Sequence, residues 1–160
     1  MNPLVAASVL FEQAYPSLVS LVATRIRLEG QSHQESRREA SRPEVLEYAT
    51  WFGRLLRIVY RHGLTTALRE ELLWYIGVFT THGWGPNGVS LLLTSWIVAI
   101  QGLIKPPECN LLAGPLQNLA DELPRLVEHA AGAALAPTEG IDREFFQALL
   151  EGDADRAWQR

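Results

Sequence analysis

The residues that could do chemistry in this chain are few and far apart. Its four histidines, His33, His62, His82 and His129, include no pair at the i, i+4 spacing that sets two metal ligands on one helix face. The single cysteine, Cys109, lies in Pro-Pro-Glu-Cys-Asn with no histidine nearby, so neither a Cys–His nucleophile nor a multi-thiolate metal site is spelled out. No Gly-x-Ser-x-Gly elbow occurs. Gly83, Gly85 and Gly88 lie between two helical stretches, not in the strand-to-helix turn of a phosphate loop. The expectation is a protein that is not an enzyme. His62 and His82 each close a helical stretch, where the dipole favours an imidazolium. A structural cap and, more remotely, a haem axial ligand are the two readings of such a histidine.

The aromatic residues are more suggestive. Trp51, Trp74, Tyr75, Trp84 and Trp96 cluster in the middle three helical stretches. They read either as core and dimer-interface packing, or as a slot lined with flat surfaces for a large conjugated ligand.

Composition narrows the partners. The chain has 160 residues, 48% hydrophobic and 20% charged, enough for one folded core without staples. A net charge of -4, with basic residues scattered among acidic ones, argues against nucleic acid. The lone cysteine excludes an internal disulfide and fits a reducing compartment. Met1-Asn2-Pro3-Leu4 carries no positive region and no cleavage pattern follows it, so the expected location is cytoplasmic. No charge occurs between Glu71 and Lys105 unless His82 is protonated. That run is interrupted from His82 to Gly88, and each half falls short of the roughly 20 residues a spanning helix needs. Two buried helices, not a membrane hairpin, are expected there. A homodimer is also expected, because so much uncharged surface exceeds what one small core readily buries.

Helices must position all of these residues, since nothing shows the alternation of a half-buried strand. The first stretch runs from about Pro3 to Leu28, with Pro16 expected to kink it or start a new helix. Glu29 to Ala40 is polar and reads as a connection. Ser41 and Glu44 form a capping pattern around Pro43, opening a helix to about Arg61 that Gly63 ends. Thr65 or Thr66 caps the next, Ala67 to about Thr81, with Glu70 and Glu71 expected in its first turn. Asn87 is expected to cap Gly88 to Ile104, a helix apolar enough to be buried nearly all round. Pro107 to Leu123 follows, then Pro124 to about Leu135 as a kinked continuation or separate helix, and two more stretches from Thr138 to Arg160. The sum is an all-α fold of about six to eight helices.

Ala67-Leu68-Arg69-Glu70-Glu71-Leu72-Leu73-Trp74-Tyr75-Ile76-Gly77-Val78-Phe79 resembles the chromophore-bearing helix of phycobiliproteins. The resemblance implies a globin-like, phycocyanin-like fold over residues 1–136. It sets Arg69 where an arginine pairs with a bilin propionate, and Glu70 where an aspartate meets the pyrrole nitrogens. Trp74 and Tyr75 stand at the aromatic pair. Ala67 stands where the family has its thioether cysteine, so any linear tetrapyrrole would be held without a covalent bond. The region is also similar to bilin biosynthesis-associated globins found ahead of cobalamin-binding domains. The tail from Phe145 to Trp158 looks like the opening of a cobalamin domain's helical cap and stops mid-helix, which implies that residues 137–160 begin a second domain of a longer protein.

Two functions are therefore expected in parallel. One is a ligand-sensing globin-like module that holds a bilin or related tetrapyrrole beside Arg69, Glu70, Trp74 and Tyr75. The other is a pure interaction domain whose pocket is filled by its own side chains. A haem globin is a distant third.

Overall fold

A cap at the start of the first helix and a glycine stop at the end of the second set two of the helix ends. In the computed structural model, which describes residues 2–32, 43–81 and 85–132, five helices occur: α1 (Pro3–Ser32), α2 (Pro43–His62), α3 (Thr65–Thr81), α4 (Gly85–Leu103) and α5 (Glu108–Gly132). No strand occurs among the described residues, and the fold class is all-α. Asn2 caps α1: its Oδ1 accepts from the Leu4 N–H at 3.0 Å, and Pro3 takes the first helical position, where no N–H is needed. Gly63 ends α2 at φ 66°, and the Leu64 N–H reaches back to the Val59 carbonyl at 2.9 Å, the bond that closes a left-handed C-terminal cap.

Several boundaries differ from expectation, each for a local reason. α1 runs through Pro16 without a break and continues to Ser32. Pro16 is on the exposed side, where the carbonyl it frees can meet water, while Phe11 and Leu18 on either side of it are buried. α5 likewise runs through Pro124, the continuation and not the separate helix. α3 starts at Thr65, so Glu70 and Glu71 fall in its second turn, away from the dipole end that was to favour them. α4 starts at Gly85, whose φ of 55° turns the chain, and Asn87 is thereby inside the helix instead of capping it. The proposed cap Ser41, the two stretches after Thr138, and the boundary near residue 136 lie outside the described residues.

The helices pack in antiparallel neighbours. Asn2 lies beside Gly63, and Glu12 meets Arg57 and Arg61, so α1 and α2 run in opposite directions. Tyr48 meets Phe79 and Phe52 meets Tyr75, which makes α2 and α3 antiparallel as well. α4 packs on α1 and α3. α5 is tied to α2 where the Tyr60 hydroxyl donates to the Leu112 carbonyl at 2.7 Å in the core. These helices up to Glu128 form one compact unit, and only the last turn of α5 is described beyond it.

α4 is not buried all round. Val89, Leu92, Leu93, Trp96, Ala99 and Ile100 face the core, whereas Ser90, Val98, Gln101 and Leu103 are exposed. Pro3–Glu29 and Gly85–Leu103 are each long and apolar enough to cross a bilayer by length and composition. For Gly85–Leu103 this differs from the sequence reading, because the earlier start lengthens the helix.

Candidate functional site

The four residues singled out from the sequence stand on two sides of α3. Tyr75 is buried with Leu68, Leu72, Ile76 and Phe79, the inward stripe of the helix. Arg69 and Glu70 are exposed, and Trp74 is 37% exposed. Arg69 Nε lies 3.4 Å from Glu122 Oε2, a long, solvent-washed ion pair that ties α3 to α5. The helix thus sets the two charged groups and Trp74 toward solvent and commits Tyr75 to the core.

Tyr75 sits among the protein's own rings. Its centroid lies 5.4 Å from Phe52 at 90°, 6.5 Å from Tyr48 at 81° and 5.1 Å from Trp74 at 89°. Edge-to-face contacts of this kind satisfy the ring quadrupoles mutually. They also occupy Tyr75, which a flat ligand would need to reach. Burial above all, then the negative charge of Glu71 and the Tyr48 ring, pushes the Tyr75 hydroxyl well above the usual phenol range, so it stays neutral.

The tryptophans do not form one slot. Trp51 packs against Tyr48 at 5.5 Å in the α2–α3 group. Trp96 is fully buried in a different group, 6.1 Å from Phe11 and stacked 6.5 Å from Tyr15 at 19°. Both groups lean on α2 at adjacent residues, Phe52 for the first and Gly53 for the second. Trp84 lies outside the described residues. A methyl group built on Gly53 would fall onto the Trp96 indole, 2.5 Å from its Cη2, and 3.2 Å from the Tyr15 hydroxyl oxygen. Glycine is what lets α2 approach the indole.

One polar constellation was not singled out from the sequence. Arg57 donates from Nε and Nη2 to Glu12 Oε2 at 2.9 and 2.7 Å, and Arg61 Nη2 donates to Glu12 Oε1 at 2.9 Å. The Arg57 guanidinium also lies 4.6 Å over the Tyr15 ring. The hydrogen bond from Arg57 holds the Glu12 carboxyl below its ordinary range, with partial burial opposing. A carboxylate locked in that way is a clasp between α1 and α2, unsuited to proton transfer near neutral pH. The signal that could have found it is Glu12's isolation: no other charge occurs between Pro3 and Thr24.

Among the described residues no group of three or more His, Cys, Asp or Glu side chains could hold a metal ion. His62 and His129 are both exposed, and Cys109 is buried with its Sγ 3.5 Å from Asn110 Oδ1. No family model, no curated protein and no solved structure matches the chain. The functional reading therefore rests on its own residues and their placement.

Proposed function

We propose that this chain is a non-enzymatic regulatory module that works through protein contacts, as a homodimer in the cytoplasm. The observation that carries the reading is the division of its surface. The outer side of α1 exposes Val9, Leu10, Leu21 and Leu28, while α2, α3 and α5 carry most of the charges of the described residues. Such an apolar strip, bordered by the exposed Arg27, is characteristic of a contact surface. The edge-to-face packing around Tyr75 supports the same reading, since the rings that might have lined a ligand slot are engaged with one another. In this proposal the fold is globin-like, with the phycocyanin-like α3 followed by the apolar α4.

A second reading keeps the linear tetrapyrrole. It is favoured by one observation: Arg69, Glu70 and Trp74 are all accessible on α3, so a ligand could meet them without unpacking the core. Arg69 would present its donors to a propionate in place of Glu122. Titration of biliverdin, haem and cobalamin into the wild type, followed by absorbance, separates the two. The interaction reading expects no saturable binding. Saturable biliverdin binding, weakened by about 1.5–3 kcal/mol in Arg69→Ala and also reduced in Glu70→Ala, would replace it with the tetrapyrrole reading.

A further inference from the structure

The exposed side of α1 carries a repeat that its buried side does not explain. Leu10, Ala14, Ser17, Leu21, Thr24 and Leu28 follow one another at steps of four, three, four, three and four residues. That is the spacing of a seam that packs against another helix. It is only partly covered within the described residues: Leu10, Leu21 and Leu28 are 39%, 43% and 61% exposed, Ala14 is half-buried, and Ser17 and Thr24 are exposed. Thr24 Oγ1 donates to the Ser20 carbonyl at 2.9 Å, so its hydroxyl is satisfied within the helix and its methyl group is free to be covered.

Large and small residues along the seam are arranged to complement a reversed copy of itself. With a two-fold axis at Ser17, an antiparallel second α1 sets Leu10 against Thr24 and Leu21 against Ala14. Leu28 then lies against Ala6, four residues before Leu10 and likewise exposed. Every leucine meets a small partner, which is how facing positions interdigitate without voids. A parallel in-register pair would instead stack leucine on leucine and leave gaps at Ala14 and Ser17. We infer that a second copy of this chain covers α1, antiparallel, with Ser17 at the two-fold axis. The inference rests on the homodimer reading above and names its surface.

Charge favours this occupant over a bilayer. Two copies at a net charge of -4 repel, and a strip without a charged side chain from Leu10 to Leu28 lets them approach where the repulsion is least. A helix that lies on a membrane sets basic residues along its polar side; here Glu12 is committed to α2, and the two cations of α1, Arg25 and Arg27, stand only beside the last turn of the strip. The seam is about 27 Å long and about 10 Å wide from helix geometry, well under the ~800 Å² per partner of a standard interface, so the dimer should be a weak one, dissociating at micromolar concentrations or higher.

The test is sedimentation velocity of the full chain over a concentration series, with single-cysteine cross-linking. Wild type should pass from monomer to dimer at micromolar concentrations or higher. Leu21→Glu, at a position already exposed, should fold normally by circular dichroism and weaken the dimer about thirtyfold or more, the loss of a central anchor. Under mild oxidation Ser17→Cys should form a disulfide-linked dimer, because its two copies meet at the axis. Leu28→Cys should not, since its copies lie about 33 Å apart, far beyond the reach of a disulfide. The native, buried Cys109 in wild type is the background control. Linking of both variants would replace the antiparallel arrangement with a parallel one. A dimer with neither linked would overturn the surface and leave the homodimer reading standing. A monomer at every concentration would overturn both, and a monomer that floats with phosphatidylcholine vesicles would assign the seam to a membrane.

Discussion

Replacing Gly53 by alanine tests the closest approach in the fold. Gly53 is inside α2, where alanine is favoured over glycine by about 1 kcal/mol from backbone entropy alone. At an open helical position that gain appears as added stability. At Gly53 the new methyl would fall onto the Trp96 indole, 2.5 Å from Cη2, and would also crowd the Tyr15 hydroxyl oxygen at 3.2 Å. Trp96 cannot swing aside, because it is fully buried between Gly53, Phe11 and Tyr15. Overpacking of a rigid core group typically costs about 1–3 kcal/mol, and set against the helical gain of about 1 kcal/mol the net loss should be about 0–2 kcal/mol. For a chain of this size each kcal/mol moves the midpoint by about 2–4 °C. The internal standard is Gly77→Ala in α3, where nothing lies within 4 Å of the added methyl; it should stabilise by about 0.5–1 kcal/mol. Urea unfolding followed by circular dichroism would measure both. Equal shifts of the same sign in the two variants would refute the packing of α2 onto Trp96. Trp96→Phe, which shortens the ring, should lessen the cost of Gly53→Ala in a double-mutant cycle.

Two further predictions concern the polar ties between helices. Glu12→Gln should cost about 0.5–1 kcal/mol at pH 7, a modest figure because both arginines are partly in water. Since Arg57 and Arg61 hold the folded carboxyl below 4.5, the stabilisation is present above the unfolded value and is lost as pH falls through the folded one. The difference between wild type and Glu12→Gln should therefore be flat above about pH 5 and shrink at lower pH, and a difference that grows on acidification would count against the clasp. Tyr60→Phe removes the 2.7 Å bond to the Leu112 carbonyl, the buried tie between α2 and α5. It should cost about 1–2 kcal/mol in urea unfolding, and a neutral result would mean that α5 is not anchored there.

The case of α1 shows how legibility divides. Its start could be read, because Asn2 and Pro3 are a cap and a first-turn residue whose chemistry is local. That Pro16 lies within one continuous helix, and does not start a new one, could not, because packing on the core side of the same turn holds the helix together. α4 shows the same division in burial. Its apolar composition marks a helix, but which residues face in depends on where α1 and α3 lie, and its outer side proved exposed. At the candidate site, Arg69, Glu70, Trp74 and Tyr75 could be picked out as neighbours in sequence. That Tyr75 turns inward to Phe52 while Arg69 turns outward to Glu122 depends on the rotation of α3 against its neighbours.

What the sequence determined by itself is the all-α class and the glycine that ends α2. Each follows from interactions within a few residues: period, caps and dihedral preference. Tertiary structure alone decided that Glu12 meets Arg57 and Arg61, that Gly53 receives Trp96, and that the seam from Leu10 to Leu28 is left partly exposed within the described fold. Those pairings join residues about 40 positions or more apart, or depend on which face of a helix its neighbours occupy. The local forces that make a helix are nearly indifferent to its rotation about its own axis, and only packing against other helices chooses it.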